Sequence, residues 1–160
     1  MLNLLRALDE SRIDYVLVGG LAVSLHGYQR VTLDVDVVLA MSPENLERFV
    51  DCAKTNNLHP VVPVPLESLK DVSLLRRWRQ EKGMLAFGLR EPDAMSTVID
   101  VLIEPSVPYD ALRRDAVIRQ IGPLQVPVAS IDHLIELKTG TGRSKDAIDI
   151  EELRKLSGSK

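Results

Sequence analysis

The stretch VGGLAVSLHGYQRVTLDVDV, residues 18–37, decides how this chain is to be read. It opens on a glycine pair and closes on two aspartates, Asp34 and Asp36, inside a valine-rich run. Residues 34–39 read as a strand, and side chains at i and i+2 of a strand point the same way. The two carboxylates would therefore present their charges together, which is unfavourable unless a cation sits between them. Upstream, residues 15–18 read as a strand that runs into Gly19 and Gly20, and LAVSLHG as a short helix. A strand ending in two glycines and feeding a helix brings backbone N–H groups to one point with no Cβ to block approach, which suits a phosphate. Steric demand alone also produces such turns.

Working outward, MLNLLRALDES carries a first helix ending near Ser11. Ser42-Pro43-Glu44 supplies an N-cap with proline at the first helical position, and Leu46, Phe49, Val50 and Ala53 form a stripe that takes this helix to about Asn56. Cys52 lies beside the stripe as a small filler. VVPVPL is too proline-rich for a central strand, and LKDVSLLRRWRQEKG is either a helix or an ordered loop ending at Gly83. MLAFGLRE and STVIDVLIE are expected to pair as strands across the linker at residues 91–94. YDALRRDA is a short helix, and AVIRQIGPLQVPV a hairpin turned at Gly122-Pro123. From Ser130 on, two helices are joined by GTGR. Alternating elements point to an α/β or α+β sheet domain with C-terminal helices. The expected organisation is a single domain over 1–160, with a core at about 1–128 and a helical segment at about 130–157.

A third carboxylate sharpens the chemistry. Asp100 lies between Ile99 and Val101 in a β-branched segment, where an unpaired charge would cost several kcal/mol. An adjacent strand would bring it beside Asp34 and Asp36, giving three acidic ligands for divalent metal, with phosphates completing the coordination. Pairing with an arginine is the structural alternative.

The pattern Val18-Gly19-Gly20, about a dozen residues, Asp34-Val35-Asp36, and the distant strand Asp100 resembles the nucleotidyltransferase superfamily with the polymerase β-like fold. GGLAVSLHGYQRVTLDVDVVL and the closing SIDHLIELKTGTGRSKDAIDIEELRKL are most similar to the minimal and abortive-infection (AbiEii-type) members, and more distantly to aminoglycoside and lincosamide adenylyltransferases. The similar segments cover roughly half the chain. The resemblance implies a mixed β-sheet flanked by helices, Gly19 and Gly20 against a nucleotide's phosphates, Asp34, Asp36 and Asp100 on Mg²⁺ or Mn²⁺, and Asp100 assisting deprotonation of an acceptor hydroxyl. An NMP group would pass from an NTP to that hydroxyl, on RNA, protein or a small molecule, with pyrophosphate leaving. Gly20 stands where many members carry serine. A non-catalytic module of the same fold, such as a toxin–antitoxin component or a subunit completed by a partner chain, is the rival reading; a homo-oligomer is also compatible.

Further residues join the candidate site. Arg30 and Thr32 precede the aspartates, and Arg30 suits either a phosphate or a surface acid. Lys138 continues the apolar face of Ile131, Leu134 and Ile135, so its head either snorkels to solvent or points inward. Asp146 falls on the stripe of Ile150 and Leu153 in the last helix, inviting a Lys138–Asp146 pair or a lysine that reaches phosphates while the aspartate orients it. Arg143 and Asp149 complete this group. His26, His59 and His133 lack metal-ligand spacing, so a zinc site is not expected. RRWR at residues 76–79 would serve as a solvated face anchored by Trp78, or as a nucleic-acid clamp.

The bulk numbers agree with an ordinary globular protein. The 160 residues are 45% hydrophobic and 27% charged, with a net charge of −3, which argues against disorder and against an overall polyanion-binding sleeve. One cysteine excludes an internal disulfide. The apolar runs are too short for a membrane span, and the first residues lack an export pattern, so a cytoplasmic location is expected.

Overall fold

A computed structural model describes residues 1–93 and 95–158; Ala94, in the expected 91–94 linker, lies outside them. The described residues form a mixed seven-stranded sheet with seven α-helices, the fold class the sequence leads one to expect. The first half runs α1 (Leu2–Glu10), β1 (Tyr15–Val18), α2 (Gly19–Leu25), β2 (Val35–Leu39) and α3 (Pro43–Thr55). Then come β3 (His59–Pro60), a 3₁₀ turn at Leu66–Lys70, α4 (Val72–Lys82), β4 (Ala86–Arg90) and β5 (Ile99–Leu102). The chain closes with α5 (Tyr109–Arg114), β6 (Val117–Ile121), β7 (Leu124–Val128), α6 (Ile131–Lys138) and α7 (Ser144–Gly158).

The spatial order is β3-β4-β5-β2-β1-β7-β6. The centre of the sheet is built from β5, β2, β1 and β7. Strand β2 is antiparallel to β1 but parallel to β5, and β1 is parallel to β7. These central strands read as continuous apolar runs because both faces are covered: Val16, Leu17, Val37, Leu39, Val101 and Val128 are fully buried. The hairpin β6–β7 turns at Gly122, whose φ of 56° suits glycine.

Helix ends follow local chemistry. The Ser42 side chain accepts from the Asn45 amide to cap α3, and Asp71 caps α4 through the Leu74 amide. Gly83, in the left-handed conformation, ends α4. The segment left open between helix and loop is therefore a helix preceded by a 3₁₀ turn, and the VVPVPL stretch forms no strand: the two-residue edge strand β3 ends just before it, and its last residue, Leu66, opens the 3₁₀ turn. Buried Asn45 is fully satisfied: its side chain accepts from the Asp14 amide and donates to the carbonyls of Asp14 and Ala40. It thereby ties α3 to the ends of β1 and β2.

Two expectations need correction. Strand β2 begins at Val35, so Asp34 stands exposed just before it rather than inside it. In α7 the inward face is Asp146, Asp149 and Leu153, whereas Ile150 is only half-buried. A buried ion network replaces the apolar stripe there, because Lys138 of α6 projects into the same layer.

Candidate active site

The parallel pairing of β2 with β5 sets Asp36 directly across from Asp100. Opposed residues on neighbouring strands are about 5 Å apart and share a sheet face, so two acids whose sequence positions differ by 64 meet at one point. On the other side of β2, Asp36 faces Val18 of β1, the residue before the glycine pair.

Both glycines make room for side chains of the site. Gly19 has φ +68°, and a Cβ there would lie 2.0 Å from Asp36 Oδ2. The Gly20 amide donates to the Asp36 carboxylate. A Cβ on Gly20 would come 3.0 Å from Arg30 Cζ and 3.1 Å from Thr32 Oγ1. The space expected to admit phosphate is thus partly filled by Asp36, Arg30 and Thr32. Helix α2 is only seven residues long, so its dipole contributes little. Across the sheet, Gly88 of β4 opposes Asp100, and a Cβ there would meet Asp100 Oδ1 at 2.8 Å. Gly88 belongs to the site by this contact. Sequence reading passed over it because a lone glycine inside a strand carries no signal of what lies opposite.

The electrostatics follow from this crowding. Burial, then the charges of Asp100 and Asp34, pushes Asp36 from 3.8 up to about 6, against the opposing influence of Lys138 and the Gly20 amide. Asp100 is likewise raised, by burial and by Asp34. Neither carboxylate has an ion-pair partner among the described residues. Exposed Asp34 stands at the mouth and acts on both through its charge.

Behind the acids lies a chain of ion pairs. Lys138 Nζ is 2.8 Å from Asp146 Oδ1 and 2.9 Å from Asp149 Oδ2. The same Asp149 oxygen accepts from Arg30 Nη1. The second oxygen of Asp146 accepts from Thr141 Oγ1 at 2.7 Å and Arg143 Nε at 2.8 Å. Burial alone would raise Asp146, but the hydrogen bonds of Lys138 and Thr141 outweigh it and hold the acid low. Of the alternatives for Lys138, the pair with Asp146 is present, and Asp149 is a second anion for the same lysine. Arg30 has taken a buried acid rather than a surface one, and Arg143, largely exposed, is tied to Asp146.

The remaining polar candidates lie in structural roles. His26 Nε2 stands 2.8 Å from the Ala129 carbonyl oxygen, with Arg119 Nη2 3.3 Å from its Nδ1. Cys52 is buried and donates to the Ala7 carbonyl. Trp78 packs against the core, and Arg76 pairs with Glu104 at 2.5 Å.

Among the described residues no group of three or more His, Cys, Asp or Glu side chains is placed to hold a metal ion, so the expected set of Asp34, Asp36 and Asp100 is not gathered as a trio; the register brings together the pair Asp36 and Asp100. Asp36 and Asp100 nonetheless fit a hard divalent cation: they are in register, mutually repelling and without a cationic partner. Magnesium characteristically takes one or two carboxylates and completes its shell with water and substrate phosphates.

The fold is that of nucleotidyltransferases, and the likeness extends over nearly the whole chain. The lincomycin-bound lincosamide antibiotic adenylyltransferase LnuA superposes with a TM-score of 0.63 at 14% identity, covering 97% of this chain and 94% of LnuA. ANT(2'')-Ia, in complex with adenylyl-2''-tobramycin, gives 0.55 at 13% identity over 98% and 91% of the two chains. An antigenic nucleotidyltransferase-like protein from Paracoccidioides brasiliensis gives 0.53 at 21% identity over 98% and 72%. No family model matches the sequence, and no curated protein matches it. No helix among the described residues is long and apolar enough to cross a membrane.

Proposed function

We propose that this chain is a nucleotidyltransferase that moves an NMP group from an NTP to a hydroxyl acceptor. The observation that carries the reading is the in-register Asp36–Asp100 pair, half-buried and raised in pKa, beside the Gly19-Gly20 turn. Asp36 and Asp100, with Asp34 at the mouth, would hold Mg²⁺ or Mn²⁺, which supplies neutralisation of phosphate charge. Arg30, Thr32 and Lys138 line the nucleotide side, with Arg143 and Asp146 supporting them, and the two glycines let Asp36 take its position.

The proton is the task of Asp100. Its raised pKa makes it a stronger base than a solvated aspartate, suited to accept the hydroxyl proton as the acceptor oxygen bonds to the α-phosphorus. The bond from that phosphorus to the bridging oxygen breaks, and pyrophosphate departs. Catalysis of this kind rests on positioning and charge compensation. The chain works as one unit in this reading, since Lys138 and Asp149 of the C-terminal helices meet Arg30 beside the glycine turn. The abortive-infection subtype is supported by the spacing of Lys138, Arg143, Asp146 and Asp149, and a cytoplasmic setting fits NTP as substrate.

Incubation with each labelled NTP, Mg²⁺ or Mn²⁺, and total RNA or cell extract tests the proposal. Label should pass to an acceptor with wild-type protein and be lost with Asp36→Ala. Transfer that persists unchanged in the variant defeats it.

A second reading, a subunit completed by a partner chain, is favoured by Val31 and Leu33, which are 90% and 73% exposed beside the acids. Two large aliphatic side chains so uncovered suit a protein contact. Co-purification of a stoichiometric partner, lost in a Val31→Ser, Leu33→Ser variant, would support it.

A further inference from the structure

Among the described residues Arg30 makes a single side-chain hydrogen bond, from Nη1 to Asp149. A guanidinium carries five N–H donors in a fixed fork, and this one is only 20% exposed. Its Nη2 group lies over Gly20, 3.1 Å from where a Cβ would stand. Asp149, whose side chain is 3% exposed, holds Arg30 and Lys138 through one oxygen. Arg30 and Asp149 also line a recess of about 180 Å³ with Tyr28, Val31, Lys145 and Ile148.

We propose that Asp149 is a positioning residue of the phosphate subsite: it grips one arm of Arg30 and leaves the other donors free beside Gly20 for a triphosphate. The inference rests on the nucleotidyltransferase reading and deepens it. The physical logic is that of a tethered fork. An arginine on an irregular loop would sample many rotamers, whereas one arm fixed on a buried carboxylate orients the rest at little further entropic cost. Shared use of the same oxygen aligns Lys138, whose charge already reaches Asp36, on the same side of the site. The C-terminal helix α7 thereby becomes a wall of the nucleotide site, although it contributes no atom to the phosphate itself.

The test is calorimetric binding of inorganic tripolyphosphate, and separately of the four NTPs, to wild-type protein, Asp149→Asn, Arg30→Gln, Arg30→Lys and the Asp149→Asn, Arg30→Gln double variant. Asp149→Asn should weaken tripolyphosphate at least tenfold, but less than threefold in the Arg30→Gln background, since its action passes through Arg30. A merely structural Asp149 would lower the melting temperature and leave binding by the folded fraction unchanged. Equal affinities, or full additivity, overturn the proposal. Should Asp149→Asn fail to fold, Arg30→Lys decides: it keeps the charge and loses the fork, so binding should fall at least fivefold, and unchanged binding overturns the proposal. Wild-type protein that binds neither tripolyphosphate nor any NTP defeats the functional reading and this inference together. Binding that is intact in wild type and insensitive to the variants defeats the inference alone.

Discussion

Replacing Asp36 by asparagine should stabilise the protein, by an amount that depends on pH in a defined way. The folded carboxyl titrates near 6 and an unfolded one near 3.8, a difference of about 3 kcal/mol. Between those values the folded state binds more protons than the unfolded state, so stability falls as pH rises through the window and levels off above it. At pH 7.5 the ionised Asp36 therefore costs up to about 3 kcal/mol, and at pH 4 only about 0.6 kcal/mol by the same relation. Loss of the Gly20 hydrogen bond to the carboxylate offsets part of this, leaving an expected gain of about 1–3 kcal/mol for Asp36→Asn at pH 7.5. For a chain of this size that is a rise of about 3–10 °C in Tm. Thermal melts of both proteins at pH 4, 6 and 7.5 measure it directly. Repeating the series with 10 mM Mg²⁺ adds a second arm, because an ion held by Asp36 and Asp100 should raise the wild-type Tm and have less effect on the variant. A variant no more stable than wild type at pH 7.5, or a difference independent of pH, would refute the account of a repelling acid pair.

Gly88→Ala places a methyl group 2.8 Å from Asp100 Oδ1; transfer activity should fall at least tenfold while Tm changes little, since alanine is otherwise favoured over glycine in a strand by about 0.5–1 kcal/mol. Undiminished transfer would show that the Asp100 position is not critical. Lys138→Met leaves two buried carboxylates short of their shared cation, and because Arg30 and Arg143 still reach them the loss should sit near the low end for broken buried pairs, about 3 kcal/mol, seen as a Tm lower by about 6–12 °C. A change under 2 °C would mean the network contributes nothing to stability.

How much of this could be read without coordinates differs from one residue to another. The strands at 15–18 and 35–39 and the capped helix from Pro43 were legible because their signals are local: an apolar run ending in glycine, a valine-rich run, and serine with proline at a helix start. That Lys138 joins the apolar face of α6 was legible from helical spacing, since period alone says which face a residue joins, but whether its head turns inward or snorkels to solvent was not. Asp149 was harder. Periodicity favoured the apolar Ile150 as the buried position, and only the arrival of Lys138 and Arg30 from other elements makes a carboxylate the better occupant.

Sequence by itself marked the glycine pair and the strand acids as the residues to follow, and most of the segments that become strands and helices, because backbone preferences and hydrophobic period act over a few residues. Tertiary structure alone decided who meets whom. The register of β2 against β5 put Asp36 opposite Asp100, the opening at Gly19 and Gly88 gave those carboxylates their places, and the packing of α7 tied Arg30 to Asp149. Register and helix packing depend on the fit of whole surfaces distant in the chain, and no short window of residues encodes them.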